Sequence, residues 1–255
     1  MDTRGHNRRA WDKWVDKGDR RTVPVTSEQI ALVKQGRQPL DLGQRKPLPP
    51  GWLPPLAGAK VLCLASGGGQ QGPLLAAAGA KVTVFDNSPR QLDQDRMVAK
   101  RDGLSIETVE GDMTDLSVFG DGSFDLVVNP VSVCFVENVR AVWAECFRVL
   151  RSGGMLHAAF PNPVIYSFDF DLAEKTGELK VIHPLPYADE KALTGEQLKQ
   201  YVENGGALEY SHSLEELIGG QLDAGFQLTG LIDDSWDSPE AKYMPNCIVT
   251  RAIKP

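Results

Sequence analysis

A glycine-rich turn follows the first strongly apolar run of the chain and has the composition of a ligand-binding loop. Val61 to Leu64 form the apolar run, and residues 65–72 that follow read ASGGGQQG. Glycine has no side chain, so the backbone can approach a ligand closely where a strand turns into a helix. Asp86 ends the next apolar run, and its carboxylate can accept both hydroxyl groups of a ribose across the turn. The spacing predicts a nucleoside site.

Polar residues also follow the third and fourth apolar runs. Asp112, in the sequence Glu110-Gly111-Asp112-Met113, can accept a hydrogen bond from the exocyclic amine of adenine while Met113 packs against the ring. Asn129, which ends the fourth run, would face the rest of the same ligand. The glycine-rich turn, Asp86, Asp112 and Asn129 lie together only if the strands that they follow are parallel neighbours in one sheet.

Alternating strand and helix patterns supply such a sheet. Short β-branched runs separated by helical patterns are typical of parallel βαβ units. Seven strands are predicted, at Lys60–Ala65, Lys81–Asp86, Ile106–Glu110, Phe124–Asn129, Met155–Phe160, Phe226–Ile232 and Cys247–Ala252. Ser88, Pro89 and Gln91 predict the start of a helix that runs to about Arg101.

Two further helices have apolar faces. Val139, Val142, Trp143, Cys146 and Val149 form the stripe of one, which Gly153 and Gly154 stop. Ser213 and Glu216 predict a capping box for the other. The apolar residues expected on one face of that second helix are Leu214, Leu217, Ile218 and Leu222.

Other segments flank this pattern. A helix over residues 7–17 places Trp11 and Trp14 on one face, and prolines between Pro39 and Pro55 predict a stiff linker. Residues 161–210 interrupt the alternation with prolines and aromatic residues. We therefore predict an N-terminal helical appendage with a proline-rich linker over residues 1–55. An α/β domain would occupy residues 56–255, with a cap insertion at 161–210.

Composition limits the classes of function. Apolar residues make up 42% and charged residues 24% of the 255, as in ordinary globular proteins. A net charge of −7 argues against nucleic acid as the partner. No apolar stretch suits a membrane span or secretion signal, so a cytoplasmic location is expected. The four cysteines and four histidines lack metal-ligand spacing, so no metal site is predicted.

Over roughly Lys60–Phe160 and again over Ser213–Ile232 the pattern resembles the class I S-adenosylmethionine-dependent methyltransferases, in particular the methyltransferase type 11 branch. The family usually has an acid and then G-x-G-x-G at the first turn, an acid after the second strand, and Asp plus an apolar residue after the third. The resemblance implies a doubly wound α/β fold. Its seven-stranded, mostly parallel sheet would have an antiparallel last strand, an N-terminal helical cap and an insertion after strand 5.

The resemblance also implies S-adenosyl-L-methionine as cofactor and S-adenosyl-L-homocysteine as product. The cofactor-binding residues it assigns are Ala65, Ser66, Gly67, Gly69, Gln70, Asp86, Asn87, Ser88, Gln91, Gly111, Asp112, Met113, Asn129 and Pro130. Two positions depart from the family pattern, since Cys63 replaces the first-strand acid and Ala65 the first glycine. Gln70, Gln71 or Asn129 would then replace the acid's contact with the cofactor's amino group.

A small-molecule methyl acceptor is expected over the carboxyl ends of the strands. Trp11, Tyr166, Phe168 and Tyr187 are the predicted acceptor-binding residues. His212 is the leading candidate for a catalytic base, with Asp169 and His183 behind it. The acceptor's identity, the methylated atom and the oligomeric state stay open.

Other interpretations of the same residues also stay open. Gly67, Gly69, Gly72 and Asp86 satisfy a nicotinamide dinucleotide pattern, and Tyr187 to Lys191 form the YxxxK of short-chain dehydrogenases outside their usual helix. The missing first-strand acid permits a cofactor-binding protein without catalysis. Asn129-Pro130 begins a box typical of enzymes that methylate nucleic-acid bases, but the rest of that box is absent.

Overall fold

The computed structural model describes residues 2–255. Its centre is one seven-stranded sheet in the order β3-β2-β1-β4-β5-β7-β6. The strands are β1 Lys60–Leu64, β2 Lys81–Asp86, β3 Ile106–Glu110, β4 Phe124–Pro130, β5 Leu150–Pro161, β6 Gln227–Asp234 and β7 Cys247–Ile253. β1 to β5 are parallel, and β7 is antiparallel to both β5 and β6. The predicted α/β sheet with its antiparallel last strand is confirmed.

Helices cover both faces of the sheet, and others form parts of the N-terminal segment and of residues 161–210. They are α1 Thr3–Lys17, α2 Ser27–Lys34, α3 Gln71–Ala77, α4 Pro89–Asp102, α5 Val139–Val149, α6 Phe170–Thr176, α7 Asp189–Ala192, α8 Gly195–Glu203 and α9 Gly220–Asp223. As the sequence predicts, Ser88 Oγ accepts from Gln91 N at 3.1 Å and begins α4, with Pro89 in its first turn. Within residues 2–255 no helix is both long and apolar enough to cross a membrane.

Side chains of β1 point alternately to two apolar layers. Leu62 and Leu64 belong to the cluster that contains Trp143 of α5. Val61 and Cys63 belong to the cluster on the other face, with side chains from α3 and α4. Burial on both faces is expected of a central parallel strand. The carboxyl ends of β1, β2, β3 and β4 consequently meet at one edge, where the glycine-rich turn lies.

The proline-rich segment packs against the sheet. Residues 35–59 contain no helix or strand, yet Leu42 and Trp52 are buried. Trp52 Nε1 donates to His157 Nδ1 at 3.0 Å, so the neutral ring carries its proton on Nε2, 3.3 Å from Leu42 O. Burial lowers the pKa of His157 to about 4. This histidine is a satisfied core residue, as its position in a strand predicts.

The helix after the insertion differs from its prediction. Ser213 and Glu216 form the expected reciprocal hydrogen bonds, at 2.9 and 3.2 Å. However, Glu215–Gly219 form a π turn before α9, which changes the angular spacing of the side chains. Leu217 is buried, whereas Leu214 and Leu222 are 49% and 51% exposed. The prediction of one apolar side was wrong at these two leucines because it assumed a regular α-helix.

Candidate functional site

The turn after β1 has a backbone that favours glycine. Gly68 and Gly69 have φ angles of +115° and +70°, in the region that side chains disfavour. A Cβ on Gly67 would lie 2.6 Å from Gln91 Cβ, which is too close for a real contact. Ala65 also has a positive φ, +46°. A glycine is therefore the less strained residue at position 65, in agreement with the family pattern.

Asp86 joins the end of β2 to this turn. Its Oδ2 accepts from Gly67 N and its Oδ1 from Ser88 N, both at 2.9 Å. Burial raises the pKa of Asp86 to about 6, against the lowering effect of these N–H donors. Each carboxylate oxygen has two acceptor sites, so both can still accept a hydroxyl group. The geometry suits the recognition of a diol by Asp86.

The loop after β3 forms the next part of the edge. A Cβ on Gly111 would overlap the ring of Phe85, so any other residue requires that ring to move. Arg4 of α1 makes an ion pair with Asp112, with Nε and Oδ2 3.5 Å apart. Met113 packs at the border of the main apolar cluster. An adenine amine that approaches Asp112 would therefore meet a carboxylate already paired on one side.

Buried acceptors without partners surround the turn. Within residues 2–255, the fully buried side-chain N and O atoms that lack a hydrogen bond are Gln91 Oε1, Asp95 Oδ1, Asn129 Oδ1 and Arg251 Nε. Three of these four border the turn, because Gln91 Oε1 would lie 2.8 Å from a Cβ built on Gly68, Asp95 accepts from Gly68 N, and Asn129 Nδ2 donates to Leu64 O at the end of β1. Buried polar groups are nearly always paired. The arrangement fits a ligand that donates several hydrogen bonds.

Comparison with known proteins agrees with this geometry. Residues 62–158 match the family model described as "Methyltransferase domain". The "Uncharacterized methyltransferase YbaJ" of Bacillus subtilis (strain 168) is 52% identical over 249 residues, 98% of this chain and 97% of that protein. The chain belongs to the class I S-adenosylmethionine-dependent methyltransferases. This methyltransferase is therefore an enzyme whose cofactor is S-adenosylmethionine.

One further relative and one solved structure are similar to this chain at lower sequence identity. A "Ubiquinone biosynthesis O-methyltransferase" of Methylocella silvestris is 33% identical over 117 residues, 46% of this chain and 45% of that protein. The crystal structure of an S-adenosylmethionine-dependent methyltransferase from Mesorhizobium loti has a TM-score of 0.61 at 16% identity. It covers 79% of this chain and 94% of that one, and it supports the fold.

The residues at the edge fit the cofactor chemically. S-adenosylmethionine carries an ammonium group, two ribose hydroxyls and an adenine amine, all of which donate hydrogen bonds. Asp86, Gln91 and Asn129 provide acceptors at the turn. Most of the predicted cofactor residues lie along this edge. Their individual assignments stay predictions.

Some predicted cofactor residues have protein partners. Gln70 Nε2 donates to the carbonyl oxygens of Arg21 and Val23, at 3.1 and 3.0 Å. Ser88 Oγ donates to Asp12 Oδ1 of α1 at 2.7 Å. Ser66 is buried, with its Oγ 3.3 Å from Gln71 Oε1. Gln70 and Ser88 thus hold the N-terminal segment against the turn.

Helix α1 runs along this edge and reaches the insertion. Arg8 pairs with Glu110 at 3.0 Å, beside the Asp12 contact with Ser88. Asn7 Nδ2 donates to Leu208 O at 3.0 Å, and Leu208 N donates to Asn7 Oδ1 at 2.8 Å. Helix α1 and residues 161–210 therefore contact each other above the strand ends, and together they are called the roof.

The structure brings together three of the four predicted acceptor residues. The rings of Tyr166 and Tyr187 stack, with centroids 5.5 Å apart. Trp11 contacts Phe135 at 5.2 Å, and Phe135 packs against the cluster that contains both tyrosines. Phe168 instead lines a shallow surface hollow with Tyr243 and Met244.

The predicted bases have different surroundings. His212 is buried, with Nε2 3.0 Å from Val133 O, and burial lowers its pKa. In the neutral ring Nε2–H then donates, which leaves Nδ1 as the basic atom. Asp169 caps α6 by accepting from Leu172 N at 3.0 Å. The His183 ring lies 5.0 Å from that of Tyr187.

Glu209 is a titratable group that sequence reasoning missed. Tyr166 Oη donates to Glu209 Oε2 at 2.7 Å, and burial raises the pKa of Glu209 to about 7. Its backbone N–H donates to Asp189 Oδ2 at 2.8 Å, and Asp189 Oδ1 accepts from Tyr187 Oη. A single acid in the run Ala207-Leu208-Glu209-Tyr210 was the available signal. Because Glu209 is far in sequence from the motifs, no pattern indicated that it belongs to the site.

Proposed function

We propose that this enzyme transfers the methyl group of S-adenosylmethionine to a small-molecule acceptor bound beneath α1 and the insertion. The observation that carries the proposal is the roof itself, which Asn7 and Leu208 join at one end and Asp12 and Ser88 at the other. A roofed site suits a compact acceptor and keeps out water. The net charge of −7 further disfavours nucleic acid.

Similarity supports the same class of acceptor. The Methylocella silvestris relative is named for ubiquinone biosynthesis, and it matches 46% of this chain. Tyr166 and Tyr187 supply a stacked aromatic wall for a partly apolar molecule. Trp11 is proposed to extend that wall from α1.

The roles proposed for the residues follow from their positions. The cofactor supplies a methyl group already activated on a sulfonium, so the protein mainly aligns the reactants and excludes water. Asp86 would accept from the ribose hydroxyls and Asp112 from the adenine amine. Asn129, with its buried unpartnered Oδ1 at the end of β4, would accept from the methionine part.

Proton removal from the acceptor has two proposed carriers. His212 offers Nδ1, but burial keeps its pKa low. Glu209 titrates near neutral pH, which is where a general base works best. Glu209 is linked through Tyr166 to the aromatic wall, so we favour Glu209 as the base.

Labelled cofactor tests this function. The enzyme is incubated with a cellular metabolite extract, or with protein and nucleic-acid fractions, and S-adenosylmethionine that carries an isotope-labelled methyl group. We expect mass spectrometry to find the label in a small molecule. Asp86→Ala should abolish most of the signal, whereas Asp93→Ala, an exposed acid on α4, should not. Label confined to protein or nucleic acid would refute a small-molecule acceptor.

A further inference from the structure

The glycine-rich turn is fixed by a carboxyl group from α4. Asp95 is fully buried, and its Oδ2 accepts from Gly68 N at 3.0 Å. Gly68 N also donates to Gln91 O, at 3.1 Å. Together with Gly67 N, which donates to Asp86, two successive N–H groups of the turn donate to carboxyl oxygens. A buried N–H without an acceptor is costly, so these two acids determine the shape of the turn.

The strand beneath the turn does not provide such a group. Cys63 of β1 is buried on the face that packs against α3 and α4. Burial raises the pKa of its thiol, with a smaller contribution from the neighbouring Asp95. A thiol is a weak hydrogen-bonding group, and no hydrogen bond of the Cys63 side chain is found within residues 2–255.

We propose that Asp95 is a positioning residue for the cofactor, and that it provides from α4 a buried carboxyl group that orders the turn, which Cys63 beneath the turn cannot do. It acts through the turn, by holding Gly68 and Gly69 in the left-handed conformation that the ligand meets. Asp95 is closely packed against the start of α3, because its Oδ1 would lie 3.2 Å from a Cβ built on Gly72. Asp95, the turn and the start of α3 thus form one packed unit.

The protonation of Asp95 agrees with this role. Burial raises its pKa to about 8, against the N–H groups of Gly69 and Gly68, which lower it, while Asp86 raises it further. At neutral pH the carboxyl group is largely neutral. Its Oδ2 accepts from Gly68 N in either protonation state. Asparagine has an acceptor oxygen in the same place, so it should substitute well.

Three variants and a calorimetric titration with S-adenosylhomocysteine test the proposal. Asp95→Ala removes the carboxyl acceptor of Gly68 N, which keeps only its hydrogen bond to Gln91 O, so we expect affinity to fall by about tenfold. Asp95→Asn should bind within about threefold of the native protein, because it keeps the acceptor. Asp93→Ala, at an exposed acid of α4 that pairs with Arg96, should bind as the native protein does.

Two results would overturn the proposal. One is native affinity in Asp95→Ala, and the other is equal weakening by alanine and asparagine, which would show that the acceptor oxygen kept by asparagine does not hold the turn. Hydrogen exchange of the ligand-free native protein gives a second measurement that needs no variant. Slow exchange of the Gly68 amide is expected, and fast exchange would also overturn the proposal. None of these measurements depends on the methyl acceptor.

Discussion

Asp86 makes cofactor affinity depend on pH in a direction that the structure sets. Its pKa in the free protein is raised by burial to about 6. The ionised carboxylate accepts from the ribose hydroxyls, whereas the protonated form loses acceptor capacity. Affinity should therefore be full above this pKa and should fall as the pH drops through it.

The size of the effect follows from the ionised fraction. If only the ionised form binds, the apparent dissociation constant equals the dissociation constant of the ionised form divided by the ionised fraction. This fraction is about 0.09 at pH 5 and about 0.9 at pH 7. Binding should thus weaken by up to about tenfold between pH 7 and pH 5. Asp86→Asn keeps the shape but has no charge, so its affinity should be about tenfold lower at pH 8. The native advantage should shrink toward pH 5.

Titration calorimetry with S-adenosylhomocysteine at pH 8, 7, 6 and 5 measures this ratio. The ligand's own ionisation is the same for both proteins and cancels when native and variant are compared. Asp93→Asn serves as the matched control, since Asp93 lies on the exposed side of α4. A native-to-variant ratio that stays constant with pH, or equal affinities at pH 8, would refute the assignment of Asp86 to the ribose.

Three further variants test the roof, the base and the loop after β3. Glu209→Gln should lower kcat by about 10²- to 10⁴-fold with unchanged S-adenosylhomocysteine affinity, and should remove the rise of native activity with pH near 7. Asn7→Ala frees Leu208 N and O and should lower Tm by several degrees, with a higher KM for the acceptor. Gly111→Ala places a Cβ 2.2 Å from Phe85 and should cost about 1 to 3 kcal/mol of unfolding free energy, measured by urea denaturation.

Each of these has its own control or contrary result. Native activity in Glu209→Gln would return the role of base to His212, for which His212→Gln is the direct test. Arg9→Ala, on the exposed side of α1, should leave both Tm and KM unchanged. A Gly111→Ala protein as stable as the native one would mean that Phe85 can move aside.

Local sequence signals were sufficient for the sheet and its cofactor edge. Strand periods, a proline after Ser88 and glycines at the first turn act over a few residues, and they predicted β2 and β3 to the residue. Because parallel strands end at one edge, these short patterns also predicted that Asp86 and Asn129 would lie near the turn. Their side-chain partners could not be read from the same patterns.

Long-range contacts were beyond such signals. The spacing of Asp95 from Leu92, Val98 and Ala99 places it on the apolar face of α4, but nothing local shows that it would accept from Gly68. Likewise, Asn7 and Leu208 meet across most of the chain, and the residue types around Glu209 do not indicate the surroundings that raise its pKa. The π turn after Ser213 also escaped prediction, because an extra residue in one helical turn leaves no mark in residue types.

The contact of α1 with the insertion sets an order of assembly during synthesis. Asn7 leaves the ribosome about two hundred residues before Leu208, its hydrogen-bonding partner. The α1 helix can therefore not complete its docking until β1 to β5 and nearly all of the insertion have been made. A nascent chain that stops short of residue 208 would have the turn and its acids, but the enclosure over them would still be open.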